Sequence, residues 1–224
     1  MLELKTSESL DTVISHAETY IGKVKFTYHE NVPNQEPIDI VVVSPTPRFN
    51  FYTILTAGMS DFAMEPPNTY KDKIYSELLI CLPPDWKMSE FDWLEEKWFW
   101  PISLLRFLAS YPEEYETWLW RNHTIESLTR EPYAKNVEMK NSILWKQKKF
   151  RKEASKMKSE KRTVYFHSVI PLHDNEVKFK IDKGAQALFE RLETQNVNEL
   201  LHLKRDSAVG DYEGKVSHKV LRGF

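Results

Sequence analysis

The run Ile38-Asp39-Ile40-Val41-Val42-Val43-Ser44 alone restricts the architecture of this chain. A strand with one face in water alternates apolar and polar residues, but Ile40 to Val43 is apolar at every position, so both faces need cover. Cover on both faces means helices packed on a sheet. Upstream, Lys23 to His29 alternates with Val24, Phe26 and Tyr28 on one side, so Asn31 to Pro37 reads as a hairpin loop between two strands. Before that, Leu10, Val13, Ile14, Ala17, Tyr20 and Ile21 follow the helical period, with Ser7 or Ser9 as candidate cap and Gly22 at the far end.

Downstream, Phe49 to Ala57 is a third strand candidate closed by Gly58. Ile74 to Leu82 is a fourth, stopped by Pro83-Pro84, which cannot donate to a ladder. From Ser89 to Leu119 the pattern turns helical. Phe91, Trp93, Leu94 and Trp98 precede Pro101, which suits a first helical position, and Ile102, Leu105, Phe107 and Leu108 continue the period. Pro112 is expected to interrupt this helix, leaving Glu113, Glu114 and Glu116 for the first turn of a further short one, where the macrodipole favours acids. Thr163 to Leu172 reads as a strand ended by Pro171, and Ala185 to Thr194 as a helix through Leu188, Phe189 and Leu192. Beyond Thr194 periodicity is lost, and Gly210, Gly214 and Gly223 predict a weakly ordered extension over residues 196–224. Consecutive strands and grouped helices predict an α+β fold, a single domain with a mixed β-sheet flanked by helices.

With 224 residues, 41% of them hydrophobic and 13% aromatic, the chain has the apolar area for one sizeable core. The first ten residues lack the apolar run of a secretory signal, and no stretch approaches the roughly 18 to 20 apolar residues of a membrane span, which predicts a cytoplasmic protein. The single cysteine, Cys81, lies in the apolar run Leu78 to Leu82 and is expected to be buried and inert. The net charge of −2 is unevenly placed. Between Lys140 and Arg162 ten Lys or Arg face two acids, and of the chain's 31 basic and 33 acidic residues this leaves 21 and 31, a net of −10 for the remainder. Such asymmetry bears on partners and association rates more than on fold.

Motifs for chemistry are sparse. Six glycines never assemble into a phosphate-binding loop. The seven histidines lack metalloprotease spacing and one cysteine excludes a thiolate zinc finger, so neither metal nor cofactor is expected. Gly58-Met59-Ser60-Asp61 has a superficial likeness to a nucleophile elbow, but Gly58 reads better as a residue leaving a strand at positive φ, with Asp61 bonding amides of the turn. Lys146, Lys148, Lys149, Arg151 and Lys152, with Trp145 and Phe150 interleaved, have a composition that neutralises phosphates and stacks bases. Against this, an acidic body repels nucleic acid, and a solvated loop or helical protrusion between two strands explains the same segment.

The ordered landmarks resemble one family. Phe51-Tyr52-Thr53-Ile54-Leu55-Thr56-Ala57-Gly58-Met59-Ser60-Asp61, then Glu77-Leu78-Leu79-Ile80-Cys81-Leu82-Pro83-Pro84-Asp85-Trp86, then Trp100-Pro101-Ile102-Ser103-Leu104-Leu105-Arg106-Phe107-Leu108-Ala109, then His123-Thr124-Ile125, are similar to the Suppressor of fused domain. Phe166-His167-Ser168-Val169-Ile170-Pro171-Leu172 and the helix from Gly184 to Leu192 continue the likeness, which places the domain at 1–195 with a basic insertion at about 146–162.

The resemblance implies a non-catalytic protein-binding module. Animal members bind Gli transcription factors through a cleft that also uses a second domain, whereas this chain resembles the stand-alone bacterial form. Many of those are immunity proteins, or antitoxins, that neutralise a toxin encoded beside them, often a nuclease. An acidic body suits an inhibitor of a basic nuclease. In the animal relatives an acid precedes the matched histidine, and Asn122 stands there in this sequence. Asp61, Asp85, Tyr111, Asn122 and His123 are the candidate partner-binding residues; Gly58, Met59, Ser60, Pro83, Pro84, Trp86, Trp100, Pro101 and Thr124 are expected to be mostly structural. Two rival readings are nucleic-acid binding or regulation through residues 146–162, and an enzyme, which requires a carboxylate hydrogen-bonded to His123.

Overall fold

A computed structural model describes residues 5–29, 36–158 and 162–214. Among them the chain orders α1 (Leu10–Tyr20), β1 (Val24–Tyr28), β2 (Asp39–Val43), β3 (Tyr52–Ala57), β4 (Tyr75–Leu82) and α2 (Glu96–Glu114). There follow β5 (Thr124–Glu126), β6 (Asn141–Trp145), β7 (Lys156–Lys158), β8 (Thr163–Leu172), α3 (Asp174–Lys183) and α4 (Ala185–Thr194). The strands form one eight-stranded mixed sheet in the order β1-β2-β3-β4-β8-β6-β5, with β7 also paired to β8. β4 and β8 run parallel, and the other strand pairs are antiparallel. This is the expected α+β fold.

The two-faced apolar run sits as its composition demands. Ile40 and Val42 of β2, Ile54 of β3 and Leu78, Ile80 and Leu82 of β4 meet Leu104, Leu105 and Leu108 of α2 on one face. Val41, Val43, Leu55, Leu79 and Cys81 meet Leu10, Val13 and Ala17 of α1 on the other. Farther along that second face, Ile143 and Trp145 of β6 and Ile170 and Leu172 of β8 are covered by Val177 of α3 and Leu188, Phe189 and Leu192 of α4. Cys81 is fully buried as expected, and burial pushes its thiol well above the usual range, which disfavours the thiolate.

Several local expectations give way to tertiary context. Neither serine caps α1 with its side chain: Ser7 donates through N–H and Oγ to Asp39, and Ser9 Oγ has no partner among the described residues. Pro101 lies inside α2 instead of at its start, and Pro112 interrupts nothing, because α2 runs on to Glu114. An interior proline costs a helix about 3 kcal/mol, which the buried stripe of Trp100, Ile102, Leu104, Leu105 and Leu108 offsets. Glu113 and Glu114 therefore end a helix and do not begin one. Pro171 does not end β8, which runs on to Leu172, with Pro171 opposite Ser142 in the register.

The stretch after Thr194, expected to be weakly ordered, packs on the body through residue 214. Cys81 N–H donates to Glu199 O, Leu201 N–H donates to Cys81 O, and Val197, Leu201 and Ala208 are buried. Arg205 explains the anchoring: it forms a two-pronged ion pair with the fully buried Glu176 of α3. Gly223 and the rest of the extension lie outside the described residues, as do residues 31–35 of the expected β1–β2 loop.

Gly58 leaves β3 at φ +124°, and a Cβ there would stand 2.3 Å from Pro37 O. The Gly58→Ala variant is expected to lose about 2 to 3 kcal/mol through backbone strain and overpacking, read as a lower midpoint in urea unfolding.

Candidate functional site

The turn that enters β5 is built from Trp120-Arg121-Asn122-His123. His123 N–H donates to Trp120 O, and Asn122 sits at φ +74°, a left-handed position that asparagine tolerates better than most residues. His123 Nδ1 accepts the Trp120 N–H, and its ring packs edge-on against Trp118 at 4.6 Å. The preceding chain extends this aromatic surface, since Trp118 lies 5.0 Å from Tyr70, and Tyr111 stacks on Tyr115 at 4.4 Å. Tyr111 thus lies in the last turn of α2, and Asn122 and His123 in the turn before β5.

The other two candidates fall elsewhere. Asp61, at the turn after β3, braces the start of α1: it accepts Ser9 N–H and the Arg162 guanidinium. Asp85 is exposed in the turn past the C-terminal end of β4. Because β3 and β4 are antiparallel, those two turns lie at opposite ends of β4, so the five residues do not converge.

The residues of the Gly58-Met59-Ser60 turn have a shared purpose that sequence reading missed. Glu77 is fully buried, and its carboxylate accepts Thr56 Oγ–H, Gly58 N–H and Ser60 N–H. Burial pushes its pKa up to about 7 against the pull of those donors. Ser60 N–H is thus one of the donors of this buried knot, and the Ser60 residue is fully buried. Of the other family-motif residues, Trp86 Nε1–H donates to Trp98 O, Trp100 stacks on Tyr133, and Thr124 Oγ1 accepts from Lys180.

Sequence reading also missed the cations around Trp120. The Trp120 ring meets Tyr165 at 5.0 Å and His167 at 4.6 Å, with Arg121 5.9 Å from its centroid. His167 is fully buried, with Nε2 paired to Ser76 Oγ and Nδ1 without a partner among the described residues. Burial, then the nearby Arg121 and His123, drop its pKa to about 3. Burial also lowers His123, Arg121 and Lys180. Among the described residues no carboxylate pairs with any of these four. The hydrogen-bonded acid that an enzyme would need beside His123 is therefore not among them, and no group of three or more metal-ligating side chains is present there either.

The basic segment is, in its described part, a loop between two strands with Lys146, Lys148, Lys149, Arg151 and Lys152 exposed, as expected of a solvated loop, but it lies along the body and does not protrude. Residues 146–158 cross from β6 to β7 along the body, with Phe150 and Ala154 buried. Trp145 stacks on Phe189 at 4.4 Å, and Phe150 packs on Phe49 at 5.0 Å. Glu199 accepts the N–H groups of Lys148 and Lys149, while Lys140, Lys148 and Arg162 pair with Asp174, Glu193 and Asp61. Neither interleaved aromatic is free to stack a base. Lys161 and Glu160 lie outside the described residues.

Comparison with known proteins agrees with this architecture. No helix among the described residues is long and apolar enough to cross a membrane. Among curated proteins none matches the sequence. A crystal structure of a Suppressor of fused homologue from Neisseria gonorrhoeae superposes with a TM-score of 0.64 at 14% identity, covering 88% of this chain and 95% of its own. A Sufu–Fu complex gives 0.62 at 13% identity, with 91% and 93% covered. Drosophila Suppressor of fused gives 0.51 at 11% identity, with 77% and 43% covered. At such identities these likenesses speak for the fold. The sequence evidence comes from the model of the Suppressor of fused protein, which matches residues 34–206 and so runs from just before β2 past the Arg205 anchor. With that match over most of its length, the chain belongs to the Suppressor of fused family.

Proposed function

We propose that this domain binds another protein through the segment Tyr111 to His123, and that it is a cytoplasmic immunity protein whose partner is a toxin of nuclease type encoded beside it. The Suppressor of fused domain is a protein-interaction module in eukaryotes, and one of the similar structures is a complex of Sufu with Fu. The observation that carries the reading is the partly exposed aromatic surface between Tyr111 and His123, where Tyr111 stacks on Tyr115 and His123 packs on Trp118. The net of −10 outside the basic segment favours encounter with a basic enzyme, because complementary fields speed association.

The nucleic-acid alternative has less support. Its aromatics are buried, and Lys148 and Arg162 are matched within the chain.

Co-expression with the product of the adjacent gene tests the toxin reading. Growth arrest caused by that product is expected to be relieved by the wild-type domain and not by the Tyr111→Ala/His123→Ala variant. Arrest that persists with the wild-type domain folded and abundant contradicts it.

A further inference from the structure

Arg121 is half-buried, yet among the described residues its guanidinium has no hydrogen bond and no ion pair, and its Nε is fully covered. Burial of Nε without an acceptor leaves part of the desolvation of this cation unmatched. Around it the groups are mostly cationic or neutral. Lys180 reaches only the neutral Thr124 hydroxyl, Lys73 lies 5.8 Å from the Trp120 centroid, and His167 keeps an unpartnered, fully buried Nδ1. Asp72, paired with Lys73, is an acid on the rim. Neighbouring elements β4 and β8 contribute Ser76, Tyr165 and His167, none of them acidic.

We infer that the Trp120–Arg121 turn is an anion site that takes a carboxylate side chain from an acidic segment of the bound protein. A guanidinium presents its donors in a planar fork that matches a carboxylate, and the low local dielectric strengthens the pair once water is excluded. The indole of Trp120 supplies the apolar wall on which the acid's stem packs. A nucleic-acid strand is disfavoured, because the turn presents one guanidinium fork instead of a track of cations for successive phosphates. The inference deepens the protein-binding reading: an acidic element of the partner docks at Arg121 while its basic surface faces the acidic body.

The experiment titrates the full chain with capped tetraglutamate, following the histidine ring proton signals by NMR and tryptophan fluorescence. Tetraglutamate is expected to move the His123 and His167 signals and to change Trp120 emission. The Arg121→Gln variant is expected to weaken this binding about tenfold or more, the loss of one charge-assisted hydrogen bond. Thermal unfolding supplies a readout that a structural role would not give: R121Q should melt at the same temperature as wild type or higher, since it removes an uncompensated charge. Undiminished binding by R121Q, a lowered melting temperature in R121Q without tetraglutamate binding by the wild type, or tighter binding of inorganic phosphate or oligothymidylate than of tetraglutamate would overturn the inference. Failure of the two readings is distinguishable. A partner captured equally by wild type and R121Q removes the anion site and leaves the module, whereas tetraglutamate binding without a captured partner does the reverse.

Discussion

Replacing Glu77 by alanine is expected to remove about 4 to 5 kcal/mol of stability, the sum of stranding the buried donors at about 1 to 3 kcal/mol each less what relaxation recovers. Thr56 Oγ–H, Gly58 N–H and Ser60 N–H all end on that one carboxylate, and Thr56 Oγ also accepts Leu78 N–H, so the knot ties the end of β3 to β4. A domain of ordinary stability has only about 5 to 15 kcal/mol to lose. Urea unfolding of E77A should therefore show a large fall in midpoint, or no folded baseline at all.

The same residue sets a pH dependence. Its folded pKa of about 7 lies above the usual carboxyl value of 4.5, so the folded state holds the proton more tightly than the unfolded one. That contribution is fully present below about pH 4.5 and is lost as pH rises through about 7, by about 3 kcal/mol over the window. Glu77→Gln is expected to cost part of the hydrogen bonding while flattening this slope. Unfolding free energies of wild type and E77Q between pH 5 and 8 check it, and parallel slopes would remove Glu77 as the cause.

Arg205→Ala is expected to cost about 3 to 5 kcal/mol, because it leaves the Glu176 carboxylate buried and uncompensated. Arg205 is 9% exposed and Glu176 0%. Ala208 N–H and His173 N–H still donate to Glu176, but they carry no full charge. Arg205 also donates to Pro171 O, so its loss weakens the hold of the extension on both α3 and β8. Limited proteolysis of R205A should cut within residues 202–214 while the sheet survives. If the lost charge balance is the cause, Glu176→Leu/Arg205→Met recovers most of the stability that Arg205→Met alone loses.

What was legible in the sequence was what burial writes locally. The doubly apolar Ile40 to Val43 announced cover on both sides, and the helical period of Leu10 to Ile21 and the Pro83-Pro84 stop gave α1 and the end of β4. Where local rules compete with packing, reading failed. Pro101 and Pro112 are breakers by themselves, yet α2 absorbs both because its apolar stripe is clamped to the sheet. α3 escaped notice because Val177, Phe179 and Ile181 recur at every second residue, as in a strand, and Ile181 is in fact 74% exposed.

The candidate site was legible only in part. Asn122 and His123 could be singled out by their likeness to a family, but Arg121, His167 and Lys180 come from separate elements, and no spacing in the chain links them. Glu77 did leave a trace, a lone acid at the head of the apolar run Leu78 to Leu82. A charge in such a run has to be met by donors, and the glycine turn one strand earlier supplies two of them.

The most direct test of a protein-binding module is quantitative capture by the tagged chain from its own cells, before and after nuclease treatment, alongside Tyr111→Ala/His123→Ala. Stoichiometric recovery of one protein by the wild type is expected, unchanged by nuclease and lost in the variant. Recovery that disappears with nuclease, or is equal for the variant and the wild type, would contradict it.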